Sequence, residues 1–237
     1  MHHVVVERWS RRSSPLHARD ARAKLCVLLV FLVAVSTTPP AARMATAAFA
    51  VLLAVAVAAS GLPLRGLVAR TALVLPFSTT FALVTWWSGD PERALALALK
   101  AFLSAFASLL LVATTPITDL SAALDALRVP RTLVLVIQFL YRYLFVISEQ
   151  AQHMRLAALA RGGSRRSRFH AAAGALGVLF ARSWERADGI YSAMLARGFR
   201  GRMHPVSQPH FHRTDFAFLY LSVVACVAAS LAARWAL

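Results

Sequence analysis

Five long runs without a charged residue constrain this chain more than any other feature of its sequence. They cover residues 25–42, 44–64, 71–89, 101–118 and 216–233. A bilayer hydrocarbon core about 30 Å thick is crossed by roughly 20 helical residues, and a segment in lipid must pair its own backbone polar groups. Because the runs lack the alternation of a strand, we predict an all-α polytopic membrane helical bundle with about five spans.

The distribution of positive charge predicts how this bundle is oriented. The chain has 26 lysine and arginine residues and a formal net charge of +16. All but four of them fall in residues 1–24, 65–70 and 119–215; the exceptions are Arg43, Arg93, Lys100 and Arg234. Cytoplasmic segments carry such an excess, so we predict a cytoplasmic N-terminus and no binding to nucleic acid. The basic N-terminus resembles a signal peptide, but four more spans follow, which favours an uncleaved first helix.

The order of these segments predicts four parts. Residues 1–24 form a cytoplasmic lead-in and residues 25–118 a four-span membrane bundle, whereas residues 119–215 form a cytoplasmic region and residues 216–237 the last span. Apolar residues keep helical spacing in the cytoplasmic region, which therefore consists of amphipathic helices and is not a disordered basic tail.

Two helices are predicted in the first half of that region. A short one begins at Thr118 and Asp119, with an N-cap and an acid in its first turn, and ends before Pro130. The next begins near Thr132. Because an arginine deep in the bilayer is costly, we expect this helix to leave the membrane interface near Arg142, with a sixth span as the alternative.

A third helix is predicted over residues 168–197, with one apolar face. This face recurs at steps of three or four residues: Leu176, Phe180, Trp184, Ala187, Tyr191 and Met194. The charged residues Arg182, Glu185, Arg186 and Asp188 fall largely elsewhere. The face is expected to lie against the membrane surface or the bottom of the bundle.

The tetrapeptide Leu-Ala-Arg-Gly occurs twice, at residues 159–162 and 195–198. Each copy is predicted to end an amphipathic helix, since glycine readily takes the left-handed conformation that follows a helix. One copy could be a simple helix stop. Two identical copies in one cytoplasmic region would present two arginines from similar helix ends, suited to bidentate contacts with carboxylates of a partner that has two equivalent sites.

Helices that end in Ala-Arg-Gly after a membrane bundle resemble those of the transmembrane T component of energy-coupling factor (ECF) transporters, cobalt/nickel subtype, often called CbiQ. Further resemblance lies in Ser14-Pro15-Leu16-His17, in Tyr141-Arg142-Tyr143-Leu144-Phe145-Val146 and in Gly177-Val178-Leu179-Phe180-Ala181-Arg182-Ser183-Trp184-Glu185-Arg186. The resemblance covers residues 14–205, and spans two to four match only in hydrophobicity.

The resemblance implies a non-catalytic coupling subunit in the inner (plasma) membrane of a prokaryote. Its partners would be two ABC-type ATPase subunits, a small substrate-binding membrane subunit for cobalt or nickel, and the lipid bilayer. Arg161 and Arg197 would anchor the ATPases. Ala160 and Ala196 would allow close approach, and Gly162 and Gly198 would turn the chain away. Metal binding would belong to the separate subunit, so no metal ligand and no cofactor is expected here.

The residues also argue against chemistry within this chain. The only lysines, Lys24 and Lys100, follow no glycine-rich phosphate loop, and the predicted spans hold no ionisable side chain for a proton- or sodium-driven transporter. Ser104 and Ser108 lack a general base and are expected to pack between helices. The remaining candidates are expected to be structural: His2, His3, His204, His210, His212, Cys26 and Cys226.

Two alternatives to the coupling subunit remain open from the sequence. One is a membrane-bound enzyme that acts on lipids or phosphate headgroups, for which the acid–base pair is missing. The other is a membrane anchor for a soluble complex without transport.

Overall fold

A computed structural model describes residues 9–10, 14–162, 165–201 and 211–235 of the chain, and every regular element in these ranges is a helix. The chain divides into two compact units. The bundle unit comprises the described parts of residues 1–127 and 208–237, and the arginine-rich unit those of residues 128–207. The all-α prediction is confirmed. The predicted four-part division, which rests on membrane topology, stays a prediction.

The bundle unit contains seven α-helices and one 3₁₀ turn in the described residues. They are α1 (Ala21–Thr37), α2 (Arg43–Ser60), α3 (Leu64–Thr71), the turn Ala72–Val74, α4 (Leu75–Trp87), α5 (Pro91–Thr114), α6 (Ile117–Ala126) and α9 (Arg213–Trp235). Their core is formed by large side chains such as Phe31, Val35, Phe49 and Phe106, all less than 9% exposed. The rings of Phe31 on α1 and Phe49 on α2 meet edge to face, 5.5 Å apart.

Five helical stretches in the described residues are long and apolar enough to cross a membrane: Arg43–Ser60, Leu64–Trp87, Pro91–Thr114, Arg131–Ala160 and Arg213–Ala232. Four of them overlap the predicted second to fifth spans. The fifth, Arg131–Ala160, is the helix for which a sixth span was the alternative. The chain therefore has the polytopic character that its uncharged runs predict.

The predicted limits of the first span were wrong. Helix α1 begins four residues before Leu25 and ends at Thr37, and its 17 residues span about 26 Å at 1.5 Å each. It begins early because the side chain of Asp20 caps it, accepting a hydrogen bond from the Arg22 N–H at 2.8 Å. It ends early because Thr38, which precedes a proline, is extended (φ −66°, ψ 134°).

Several charges expected in loops lie on helices instead. Arg65 and Arg70 belong to α3, Lys24 to α1 and Lys100 to α5. The expectation of spans free of ionisable residues is therefore wrong for the helices as they form, because these helices extend beyond the uncharged runs.

Short connections precede α5 and α6. Helix α4 ends at Trp87 and α5 begins at Pro91. Helix α6 is confirmed but begins at Ile117, with Pro116 in the N-cap position and no side-chain cap. The predicted N-cap at Thr118 was wrong because Pro116, with its fixed φ, already starts the helical turn.

The arginine-rich unit is a pair of long helices, α7 (Arg131–Ala160) and α8 (Arg165–Ala196). Their 30 and 32 residues give lengths of about 45 and 48 Å. Both helices were predicted, and their starts lie within three residues of the predicted ones. Of the apolar face predicted on α8, Leu176, Phe180, Trp184 and Tyr191 are more than half exposed.

Candidate partner-docking site

The first Leu-Ala-Arg-Gly copy ends α7 in the conformation that the sequence predicts. Arg161 is the C-cap residue with helical dihedral angles (φ −75°, ψ −7°), and its N–H donates to the Ala157 carbonyl at 3.2 Å. Gly162 is left-handed (φ +70°) and donates to the Leu159 carbonyl at 3.1 Å. A side chain at this glycine would be strained.

The second copy ends α8 with the same hydrogen bonds at the equivalent positions. Arg197 donates to the Ala193 carbonyl at 3.2 Å, and Gly198 (φ +79°) donates to the Leu195 carbonyl at 2.9 Å. The Phe199 N–H then donates to the Met194 carbonyl at 3.0 Å, which completes a Schellman motif. The two tetrapeptides are therefore the same local structure used twice.

All six predicted site residues are exposed: Ala160, Arg161, Gly162, Ala196, Arg197 and Gly198. Each arginine stands at the carbonyl end of its helix, where a cation is favoured by the helix dipole. An exposed guanidinium of this kind can pair with a carboxylate of a partner. A small alanine before it and a left-handed glycine after it leave little bulk to obstruct that approach.

The structure does not bring the two arginines together. Arg161 lies four residues before the start of α8, and Arg197 follows its last residue. The two motifs are thus separated by the length of α8, about 48 Å. One carboxylate cluster could not bind both arginines, so the geometry fits two separate docking points.

Sequence reasoning missed the role of two lysines in the bundle unit: Lys24, which is buried, and Lys100, which is half-buried. The Lys24 ammonium on α1 donates to the carbonyl of Thr114, the last residue of α5, at 3.1 Å. In return, the Lys100 ammonium on α5 donates to the carbonyl of Thr38, the C-cap residue of α1. Each helix therefore supplies a cation to the C-terminus of the other, where unpaired carbonyls and the helix dipole favour positive charge.

A buried carboxylate joins the lead-in to the last helix. Asp215, 4% exposed, accepts hydrogen bonds from the N–H groups of Asp20 at 3.3 Å and His212 at 3.0 Å. Arg19 approaches the same carboxylate at 3.9 Å. This cluster connects parts of the chain that are 195 residues apart. It could have been suspected from Asp215, an acid at the start of a helix.

The lead-in also has an aromatic anchor that the sequence did not reveal. Trp9 is 7% exposed and lies so close to α3 that a Cβ on Gly66 would come within 2.8 Å of its ring. The Arg70 guanidinium stacks over the same ring, 4.1 Å from its centroid.

The cysteine and serine candidates lie on helices of the bundle unit. Cys26 and Cys226 are free thiols, and the Ser108 hydroxyl donates to the Ser104 carbonyl at 2.9 Å within α5. No group of three metal-ligating side chains occurs in the described ranges. Of the histidines considered, His2, His3, His204 and His210 lie outside the described residues.

Similarity to known proteins covers most of the chain. The profile of the family CbiQ, Cobalt transport protein, matches residues 12–207. The Cobalt transport protein CbiQ of Rhodobacter capsulatus is 28% identical over 212 residues, which are 84% of this chain and 84% of that protein. The matched interval includes both helix-ending motifs and nearly equals the interval of resemblance, residues 14–205.

Two further relatives match shorter stretches. The Energy-coupling factor transporter transmembrane protein EcfT of Bacillus selenitireducens is 33% identical over 141 residues, 54% of this chain and 50% of that protein. The Putative fused cobalt transport protein CbiMQ of Methanocorpusculum labreanum is 29% identical over 136 residues, 54% of this chain and 22% of that protein. With its membrane helices and a profile match over most of its length, the chain belongs to the CbiQ family of cobalt transport proteins, membrane components of ECF transporters.

Proposed function

We propose that this chain is the coupling subunit of an ATP-driven cobalt uptake transporter in a prokaryotic plasma membrane. It docks two ATPase subunits through its two Leu-Ala-Arg-Gly helix ends and passes their movement to a separate substrate-binding membrane protein. The observation that carries the proposal is the repeated motif: two exposed arginines stand at identical helix ends, separated by the length of α8. The chain itself performs no ATP hydrolysis in this scheme.

The metal is assigned from the relatives, two of which are named as cobalt transport proteins. Nickel remains the alternative implied by the resemblance. In cells that lack other uptake routes, the chain with its partners should support uptake of radioactive Co²⁺. Preference for Ni²⁺ over Co²⁺ in competition would overturn the assignment of the metal without touching the docking scheme.

The coupling role follows from the stiffness and placement of α8. A continuous helix of 32 residues is a stiff element. A change in the distance between two ATPases docked near its ends would therefore move the helix as a whole. The apolar side chains exposed along it, such as Phe180 and Trp184, are a suitable surface for the substrate-binding membrane protein.

Charge reversal tests the docking directly. In the variant Arg161→Glu/Arg197→Glu, a partner carboxylate meets a like charge, and we expect ATPase co-purification to fall to background. Each single reversal should leave partial recovery, because the motifs act at separate points. Both positions are exposed, so insertion into the membrane should be unchanged.

A matched control reverses two other exposed arginines of the same helices, Arg155→Glu/Arg182→Glu. The control should retain ATPases at the wild-type level. If the double variant of the motif arginines retained them equally well, the docking role of Arg161 and Arg197 would be refuted.

A further inference from the structure

The arginine-rich unit contains a groove between α7 and α8 that the coupling scheme does not use. Its volume is about 410 Å³, and its walls are contributed by residues 136–150 of α7 and residues 182–194 of α8. Fourteen residue steps along α7 correspond to about 21 Å. The groove is therefore long enough for the roughly 15 Å that one leaflet contributes to the hydrocarbon core, with further length to spare.

The lining of this groove changes from polar to apolar along α8. Its lining residues on that helix run from Arg182, Ser183 and Arg186 to Ile190 and Met194. On α7, Val136 and Phe139 also line the groove. The C-terminal part of the α8 wall is therefore apolar.

The N-terminal part of the α8 wall carries polar and cationic groups. Ser183 and the two arginines Arg182 and Arg186 line the groove there, and Gln150 lines it on α7. The arginines are one turn apart on the same face of the helix, a spacing of about 5–6 Å between their Cβ atoms. Two guanidinium groups at this distance can bind a single phosphate between them.

Neither arginine is neutralised within the described part of the chain. Arg182 and Arg186 are exposed, and no carboxylate in the described ranges comes within ion-pair distance of either. Residues 128–207 contain thirteen arginines and only three acidic residues. The groove thus has an uncompensated positive end that calls for an anionic occupant.

We propose that this groove binds an anionic phospholipid. The phosphate lies between Arg182 and Arg186, with a hydrogen bond from Ser183, and one acyl chain runs along the apolar part of α8 past Ile190 and Met194. Basic pockets between helices on the cytoplasmic side of a membrane suit such headgroups. The aliphatic stems of the arginines extend the apolar wall up to the headgroup.

Charge decides between a lipid and a protein as the occupant. An apolar helix of another membrane protein would fill the Met194 end but would leave two desolvated cations unpaired at the other, which is costly. An amphiphile with one negative head and an apolar tail satisfies both ends. The groove is separate from Arg161 and Arg197, so the lipid site and the ATPase docking can fail independently.

Binding of defined lipids to the purified full-length chain tests the proposal. The chain in detergent is titrated with dioleoyl phosphatidylglycerol or with dioleoyl phosphatidylcholine, and bound lipid is counted by native mass spectrometry. We expect one phosphatidylglycerol to be retained tightly, and Arg182→Gln/Arg186→Gln to weaken it by roughly tenfold or more. Phosphatidylcholine, with no net charge, should bind weakly to both proteins.

Two further variants distinguish a specific lipid site from non-specific attraction between the basic chain and an anionic lipid. Arg155→Gln/Arg213→Gln removes the same charge from exposed positions outside the groove and should bind phosphatidylglycerol like the wild type. Ala187→Trp fills the groove while keeping both arginines, and it should lose the lipid.

Three results would overturn the proposal. They are equal retention of the two lipids, an equal loss in the Arg155/Arg213 control, and capture of a second membrane protein instead of lipid by a photo-crosslinker at position 187 in native membranes. If Ala187→Trp does not fold, the comparison of the two arginine variants decides the question on its own.

Discussion

At the residue scale, the two lysines of the chain show how a charged side chain can join two helices of a membrane bundle. Lys24 is 6% exposed and bonds to the carbonyls of His17 and Thr114 and to the Thr115 hydroxyl. A compact ammonium with three donors fits three oxygens in different directions, whereas the planar guanidinium of arginine does not. This explains why a chain so rich in arginine places lysine at the contact of α1 and α5.

Removing this ammonium should destabilise the bundle unit. Lys24→Met leaves the buried Thr114 carbonyl without its donor, and we expect a loss of about 3 kcal/mol in the free energy of unfolding. Lys24→Arg should not restore it. Thermal unfolding in detergent measures the effect, with Arg155→Met on α7 as the control at an exposed position. Unchanged melting of Lys24→Met would contradict the structural role.

The helix-ending glycines are a second residue-scale test. Gly162 and Gly198 have φ angles of +70° and +79°, so alanine at either position would cost about 1 kcal/mol or more. The double variant Gly162→Ala/Gly198→Ala should fray the last turns of α7 and α8 and lower ATPase recovery, while the bundle unit melts as before. Hydrogen exchange at the amides of residues 161 and 197 reports the fraying. Unchanged exchange would mean that the left-handed turns can be formed by other residues.

At the element scale, α7 is longer than a bilayer requires. Its length of about 45 Å exceeds the 30 Å hydrocarbon core by about 15 Å. An uncharged stretch of α7, residues 132–141, precedes Arg142, and its second half contains Glu149, His153 and Arg155. The excess length therefore belongs to the C-terminal half, which leads to the first arginine motif.

Cysteine labelling can locate the point where α7 leaves the membrane. In a variant with Cys26 and Cys226 replaced by alanine, Val136→Cys should resist a membrane-impermeant maleimide in inside-out vesicles. Arg155→Cys should react in those vesicles and be protected in right-side-out ones. Protection of both positions in both kinds of vesicle would place the whole of α7 in lipid, and the opposite sidedness would reverse the predicted orientation.

Much of this element structure could be predicted from sequence because its causes are local. Uncharged runs, prolines and the Arg-Gly helix ends act within a few residues, and they located α7, α8 and both left-handed glycines. The limits of α1 could not be obtained in this way, since they depend on the side-chain cap from Asp20. Lys24 was interpreted as one more cytoplasmic charge because its partners at Thr114 and Thr115 are about 90 residues away.

The faces of the helices also depend partly on local sequence and partly on distant contacts. Periodicity correctly identified an apolar stripe on α8, but Ala187 and Met194 from that stripe share the groove with Arg182 and Arg186. A helical pattern shows which residues lie on one side of a helix. It does not show how far long aliphatic stems of arginine replace apolar residues at a contact.

At the scale of the whole molecule, the two units differ in how far their side chains are buried and paired within the chain. The bundle unit has hydrogen bonds that join separate parts of the chain, at Lys24, Lys100 and Asp215, which favour a fixed membrane framework. The arginine-rich unit exposes both helix-ending motifs and most of its apolar side chains, as expected of a surface that is completed by partners. Under the proposed function, the first unit would be the framework and the second the surface that binds partners.

The most direct test of this account is the recovery of partners by the tagged, full-length chain from its native membrane. Mild detergent extraction followed by mass spectrometry should recover an ATP-binding-cassette ATPase together with a second, small membrane protein. Recovery of the chain alone, under detergents that keep a known transporter of the family intact, would contradict the coupling role.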